Sequence, residues 1–246
     1  LFWLPQRMLL ILSLIIILFH NLLDGFRVVP AGWMEKFWMI LHQSGEFKIA
    51  EGVAVGVGYP WIPWIAVLSL GFCLGPLFQG DPARKRKIFT LLGWGALLLF
   101  VLLRVGNFYG DPVPWIGQKT ALLAFFSFIN CTKYPPSLDY LLMTLGPLFL
   151  CFGNWKPLPV RLESFFVTFG KVPLFYYLIH LYVIEVLGRA WVYFQTGGKT
   201  VFEERADGPL IWVYVFWWVT ILLLYPVCNW FVGVKKRNRH WWLGYL

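Results

Sequence analysis

The sequence predicts an all-α fold, a polytopic transmembrane helical bundle, and three observations predict it. Of the 246 residues, 59% are hydrophobic and only 13% are charged, whereas a soluble domain carries roughly 45–50% apolar and about 25% charged residues. Six apolar runs, roughly 8–23, 60–78, 88–106, 138–153, 165–190 and 209–234, approach or exceed the length that crosses a hydrocarbon core, which is about 20 residues of helix. The densest basic clusters sit at the ends of those runs. Together with a mean hydropathy of +0.66, these features exclude disordered, collagenous, coiled-coil and small disulfide-stapled classes. About six spans plus short interfacial helices are expected, in a single transmembrane domain over 1–246. The chain does not begin with Met, and Leu1-Phe2-Trp3-Leu4 reads as the tail of an apolar helix, so the expectation is the C-terminal part of a longer membrane protein whose upstream helices precede it.

Taken in order, the first and fourth runs are the shortest, and their boundaries are the loosest. The second contains Gly71 and Gly75, a GxxxG spacing that usually serves close helix packing. Residues 33–41 are aromatic-rich but too short to span, and 120–129 are apolar over only ten residues, so both read as interfacial. Trp61, Trp64, Trp155, Trp191 and Trp212 fall near run ends, as an aromatic belt requires. Cys73, Cys151 and Cys228 lie within apolar runs and Cys131 near an interface, with no CxxC spacing; they read as small buried hydrophobes.

The net charge of +9 comes from 21 Lys and Arg against 12 Asp and Glu. Arg84-Lys85-Arg86-Lys87 and Lys235-Lys236-Arg237 with Arg239 end apolar runs, where cations set membrane orientation and attract anionic lipid. This placement argues against a nucleic-acid partner and for the lipid bilayer. With the N-terminal end inside, eleven cations fall in inside segments and seven in outside ones. The bias predicts an inner (cytoplasmic) membrane protein with both ends of this chain cytoplasmic.

Function is sought where polar groups are costly, because an ionisable side chain in hydrocarbon needs a partner or a wet cavity. On this topology His20, Asn21 and Asp24 end the first span on the outer side, and Arg104, Asn107 and Asp111 end the third. Asn130, Lys133 and Tyr134 lead into the fourth, and His180 lies in the outer half of the fifth. His20 and Asp24 are spaced i,i+4, which on an α-helix lets the carboxylate orient the imidazole. Arg104 and Asn107 share a face at i,i+3, and Tyr176, Tyr177 and His180 form another stripe. The expectation is a polar cavity open to the outer face and walled by spans one, three, four and five. Each set also has a plainer reading. Asp24-Gly25 is a turn that ends a helix, Arg104 and Lys133 can snorkel to headgroups, and His180 fits a hydrogen-bonded buried histidine. Lys171 and Glu185 fit the interface, and Tyr176 and Tyr177 fit packing. Gly52, Gly56 and Gly58 suggest a phosphate loop, but no strand is expected before them and Tyr59-Pro60 follows, so the dinucleotide-binding context fails. Asn130-Cys131-Thr132 is formally a glycosylation sequon. No Walker A, HExxH or zinc-spaced His/Cys set occurs, and no metal is expected.

Several strings read together as a family. Phe19-His20-Asn21-Leu22-Leu23-Asp24-Gly25 resembles a GHNLLDG element, and Tyr59-Pro60-Trp61-Ile62-Pro63-Trp64 resembles YPLIPW. Arg104 through Asn107 to Tyr109-Gly110-Asp111-Pro112 is similar to LRxxNxYGDP. The most specific string is Asn130 with Thr132-Lys133-Tyr134-Pro135-Pro136-Ser137-Leu138, followed by Leu142-Met143-Thr144-Leu145-Gly146-Pro147. Gly170-Lys171-Val172-Pro173-Leu174-Phe175-Tyr176-Tyr177 with His180 resembles FGRVPLFYYxxH, with Lys where Arg is more usual. In this order and over about two-thirds of the chain, the sequence resembles bacterial multi-pass membrane proteins with a heparan-alpha-glucosaminide N-acetyltransferase-like catalytic domain. The resemblance implies a membrane acyltransferase with acetyl-CoA as donor and a carbohydrate or glycolipid acceptor, an amino sugar or sugar hydroxyl. It also implies upstream helices with an RGxAMxxMxxDH-like segment. A homo-oligomer is compatible with this architecture.

Acyl transfer needs a base for the acceptor's proton, donors for the thioester oxyanion and cations for phosphate or carboxylate. The expected roles are His180 as base or oxyanion donor, and Asp24 as the residue that orients His20. Asn107 and Asn130 are the expected hydrogen-bond donors, and Arg104 and Lys133 the anion partners. Asn21 and Tyr134 complete the expected substrate- or CoA-binding set. The alternative from another class is a transporter or flippase for a glycan or lipid precursor, which would bind its cargo in the same cavity.

Overall fold

A computed structural model describes residues 4–26, 32–197, 209–238 and 240–244. Leu1, Phe2, Trp3, Arg27, Lys199, Arg205 and Arg239, which entered the expectations about the N-terminus and the charge bias, lie outside the described residues. The architecture is all-α, with one small two-stranded sheet. The chain divides into two compact units, Leu1–Trp155 and Lys156–Leu246.

In the first unit, α1 (Gln6–Phe19) buries Leu9, Ser13 and Ile17, one stripe at i,i+4,i+8. The buried Ser13 hydroxyl donates to the Leu9 carbonyl at 2.7 Å, which satisfies it inside the helix. A 3₁₀ turn follows at His20–Leu23. Next come α2 (Trp33–His42) and a hairpin of β1 (Gly45–Ala50) and β2 (Val53–Val57). The strands pair antiparallel, from Gly45 opposite Val57 to Ala50 opposite Val53. Gly52, at φ +79°, makes the turn, a backbone conformation that favours glycine. The hairpin corrects the expectation that no strand precedes the glycine cluster. The cluster belongs to a local turn and strand, and Pro60 caps the helix that comes next.

That helix, α3 (Trp61–Leu74), packs on α1. α4 (Pro82–Gly106) starts where Asp81 accepts from Ala83 N and Arg84 N at 3.2 and 2.9 Å, with Pro82 in its first turn, as N-terminal capping predicts. It ends at Asn107, whose φ of +56° places it in the left-handed C-cap conformation. α5 (Ala121–Ile129) is short, as expected, and α6 (Leu138–Asn154) starts from Ser137, whose hydroxyl accepts from Tyr140 N at 3.1 Å.

α4 and α6 form the most extensive packing in the unit, and glycines let their backbones approach. A Cβ on Gly93 would lie 2.9 Å from the Gly146 carbonyl oxygen, and one on Gly153 would lie 3.1 Å from Thr90 N. The GxxxG glycines behave differently: a Cβ on Gly71 or Gly75 meets nothing within 4 Å. Close packing therefore falls on three glycines of α4 and α6, while an added Cβ at Gly71, or at Gly75 just past α3, approaches nothing within 4 Å among the described residues. The core between these helices gathers Ile17, Ala66, Leu70, Phe89, Phe100, Leu138 and Leu141, among others.

The second unit contains α7 (Val160–Lys171), α8 (Pro173–Gln195) and α9 (Leu210–Arg237). Val172, Leu224, Cys228 and Phe231 form its core, with the Phe175 and Phe231 rings stacked at 3.9 Å. The expected continuous fifth span is corrected here, because α7 and α8 meet at 89°. Pro173 supplies no N–H and disfavours α geometry in the residue before it, and Val172 duly leaves the helix at φ −137°, ψ 48°. Lys235 Nζ donates to the freed Lys171 carbonyl at 2.9 Å, a cation at a helix C-terminus.

Among the described residues, four helical segments are long and apolar enough to cross a membrane: Gln6–Leu23, Trp61–Phe78, Pro82–Gly106 and Leu210–Arg237. The bent α7–α8 pair passes the same test only when its two helices are taken together, and α6 is a shorter apolar helix. The protein is membrane-embedded. Of the four cysteines Cys228 is buried, while Cys151 is exposed on α6. Gly93→Ala is expected to cost about 1–3 kcal/mol, because added volume is forced against backbone. Gly71→Ala is expected to be neutral or stabilising by up to about 1 kcal/mol, since alanine is the better helix former. Thermal unfolding of the two variants in detergent checks the contrast.

Candidate functional site

The polar groups of the first unit collect where α1 and α4 end and α3 and α6 begin. Arg104 organises this end. Its side chain is 1% exposed, and it donates from Nε to the Phe128 carbonyl at 2.9 Å and from NH1 to Val113 O at 2.9 Å. NH2 donates to Ser127 O at 3.2 Å and Asn130 O at 2.9 Å. Asp139, equally buried, lies 3.8 Å from NH1. The guanidinium that the sequence reading reserved for phosphate or carboxylate is thus spent on four backbone carbonyls of the following loop and α5.

The neighbouring loop is fixed in the same way. Asn107 donates from Nδ2 to Trp115 O at 2.9 Å and accepts from Trp115 N at 3.1 Å. In the C-cap position it clasps the loop and does not share the helical face of Arg104 that the i,i+3 spacing implied. The Tyr109 hydroxyl donates to Leu18 O at 2.6 Å, near the end of α1. Gly110 sits at φ +106°, where a Cβ would collide with Asp139 Oδ1, and its carbonyl accepts from Asp139 N at 2.9 Å. Asp111 accepts from Val113 N, Thr132 N, Thr132 Oγ1 and Ser137 Oγ, at 2.7–2.8 Å. Its carboxylate ties the loop after α4 to the segment before α6.

His20, Asn21 and Asp24 meet that segment from the other side. Both ring nitrogens of His20 face carbonyl oxygens: Nε2 at 2.8 Å from Pro136 O, and Nδ1 at 3.1 and 3.0 Å from Ile16 O and Ile17 O. Asn21 accepts from Leu138 N at 2.8 Å and donates to Asp24 Oδ2 at 2.7 Å. The expected pairing of Asp24 with His20 does not form. The chain tightens to 3₁₀ geometry at His20, about 3.0 residues per turn against 3.6, so the i,i+4 positions no longer share a face. Asp24 Oδ1 is instead 3.0 Å from Nε2 of His42, the last residue of α2. His42 is 1% exposed and Asp24 25%. The two imidazoles lie 6.1 Å apart, edge to face.

Lys133 and Tyr134 lie on the surface before α6. The ammonium is 5.0 Å from the Tyr134 ring centroid, and the Tyr134 hydroxyl is 3.2 Å from that of Tyr59. Hydrogen bonding to Tyr134 pushes the Lys133 ammonium above its ordinary range. The hydrogen bond with Tyr59, aided by Lys133, pulls the Tyr134 phenol below its own. Asn130 and Arg104 line an open cleft of about 650 Å³ together with Val113, Ile116, Gln118 and Ser127. His180 belongs to the second unit, where Nδ1 turns back to the carbonyls of Tyr176 and Tyr177 and the ring stacks on Tyr176 at 5.2 Å. The break at Val172 places it in the second turn of a helix starting at Pro173, not midway along a continuous span.

Three participants escaped the sequence reading. His42 is one residue beyond the stretch read as interfacial. Asp139 is a carboxylate one position inside an apolar run, a signal by the same rule that flagged Arg104. Tyr59 was noted only as part of a motif. Among the described residues no three His, Cys, Asp or Glu side chains gather as a metal ion would need.

Arg104→Met is expected to destabilise the protein by roughly 3–5 kcal/mol, because four carbonyls and a buried carboxylate lose their partner. Arg104→Lys should recover only part of that, since an ammonium lacks the planar fork; chemical unfolding in detergent measures both. Tyr59→Phe is expected to return the Tyr134 phenol toward its ordinary, higher pKa, read from tyrosinate absorbance during an alkaline titration. No protein-family model, curated protein or solved structure matches the chain.

Proposed function

We propose that the protein is a multi-pass membrane acyltransferase that moves an acetyl group from acetyl-CoA to an amino sugar or sugar hydroxyl. The observation that carries this reading is Asp24, a partly exposed carboxylate held by Asn21 and His42 just after the 3₁₀ turn that follows α1. Transfer to an alcohol or amine requires a positioned base for the acceptor's proton. The exposed Lys133 ammonium beside Tyr134 can meet an anionic group on donor or acceptor. The Asn130 side chain stands at a cleft wide enough for a sugar ring. Arg104, Asn107, Asp111 and His20 hold the frame in which these groups sit.

Orientation follows from charge. Arg84 to Lys87 lie in the first turns of α4, whose other end carries Arg104. By the positive-inside bias the Asp24 end faces outward, in an inner membrane. The motif strings from Phe19 to His180 that resemble heparan-alpha-glucosaminide N-acetyltransferase-like proteins support the same activity.

Thermal shift of the purified full-length protein tests the reading. A ligand at 100 times its Kd stabilises a fold by about 2.7 kcal/mol. The expected result is a saturable rise in unfolding temperature with acetyl-CoA and none with ATP. No shift at millimolar acetyl-CoA, combined with saturable glycan uptake into proteoliposomes, would replace the reading with a transporter.

A further inference from the structure

Two histidines share the polar end of the first unit, and their hydrogen bonding separates them. His20 has a backbone carbonyl against each ring nitrogen, so it fastens the 3₁₀ turn to the segment around Pro136 and turns no lone pair to a ligand. His42 is satisfied on one side only. Its Nε2 meets Asp24 Oδ1 at 3.0 Å, while its Nδ1 is buried with no hydrogen-bond partner among the described residues. An ionised carboxylate accepts only, so the His42 Nε2–H donates to Asp24 Oδ1. The imidazole is enclosed by Trp38, 5.4 Å away, and His20.

What the arrangement provides is a fixed carboxylate. Asn21 Nδ2 holds Asp24 Oδ2 at 2.7 Å, His42 Nε2 holds Oδ1, and the carboxylate remains a quarter exposed. Asp24 is therefore the group that can touch a ligand, and His42 is the buried residue that aims it.

We infer that Asp24 is the catalytic base that takes the acceptor's proton, and that His42 is its positioning residue. This rests on the acyltransferase reading. The Asp24 carboxylate takes the proton of the acceptor O–H or N–H, while the acceptor atom's electron pair forms a bond to the thioester carbonyl carbon. The C–S bond breaks and its electron pair leaves on sulfur. The thiolate then takes the proton back from the Asp24 carboxyl group, giving free thiol, acylated acceptor and the starting carboxylate.

The test uses the full-length protein in proteoliposomes, with acetyl-CoA as donor and glucosamine as acceptor probe, and follows thiol release together with label transfer to the sugar. Asp24→Asn is expected to lower kcat by about 100-fold or more, in the range general bases contribute. His42→Leu should lower kcat by about 10-fold with KM little changed. His42→Gln, whose Nε2–H can donate to the same oxygen, should stay within about 3-fold of wild type. A merely structural His42 would not give this order, since Gln would then be no better than Leu. If His42→Leu fails to fold, Asp24→Asn and His42→Gln decide, both checked by gel filtration and unfolding temperature. A wild type that transfers acetyl while Asp24→Asn stays fully active overturns the base and leaves the acyltransferase reading standing. A folded His42→Gln that is as impaired as Asp24→Asn overturns the positioning role. A wild type that never consumes acetyl-CoA overturns both the proposal and the reading beneath it.

Discussion

The first unit depends on one buried guanidinium. Between α4 and α6 the chain runs through irregular backbone at the end of a helical bundle, where carbonyls without partners are costly. Arg104 reaches four of them from a single side chain on α4. Its planar fork suits the task, because five donors fixed in one plane serve several acceptors without a conformational cost for each. Asp139 sits behind it in place of a side chain at Gly110. The segment from Asn107 to Asn130 therefore behaves as an extension of α4, and the residues that follow it inherit a defined position.

Around this anchor the polar side chains divide by how fully they are satisfied. Asp111 has four donors, Asn107 is clasped in both directions, and His20 has a backbone carbonyl against each ring nitrogen. Such groups specify where loops lie and have little capacity left for a ligand. Asp24, Lys133 and Tyr134 differ, since each has a side-chain partner and still reaches solvent. Polar groups inside an apolar sequence thus fall into two sets, braces closed on the backbone and side chains that still meet solvent, and their hydrogen bonds separate the two.

The sequence made the helices legible because their signals are local. Asp81-Pro82 and Ser137 start α4 and α6 as side-chain capping predicts, and the apolar runs set their lengths. The Val172 break was also local, in the Val-Pro step, but the surrounding hydrophobicity outweighed it. The partner of Asp24 was not legible, since it depends on a tightening of the helix at His20 that rotates the carboxylate away from its i,i+4 neighbour. His42 lies eighteen residues further along, at the end of a helix that composition assigned only to the interface. The α4–α6 approach was equally hidden: glycines at 93, 146 and 153 carry no motif spacing, whereas the pair at 71 and 75 does.

The hairpin at 45–57 fixes depth. Each of the two strands has one edge with no strand partner among the described residues, and an open edge is not tolerated in hydrocarbon, so the hairpin must stand in water or among headgroups. Trp61 begins α3 four residues after β2 ends, and the eighteen residues from there to Phe78 are about 27 Å of helix at ~1.5 Å each. The bilayer surface is thus pinned near Tyr59 and Pro60. The Tyr59–Tyr134 pair lies at that same level, which puts this corner of the polar end within reach of water-soluble molecules without any descent into the membrane.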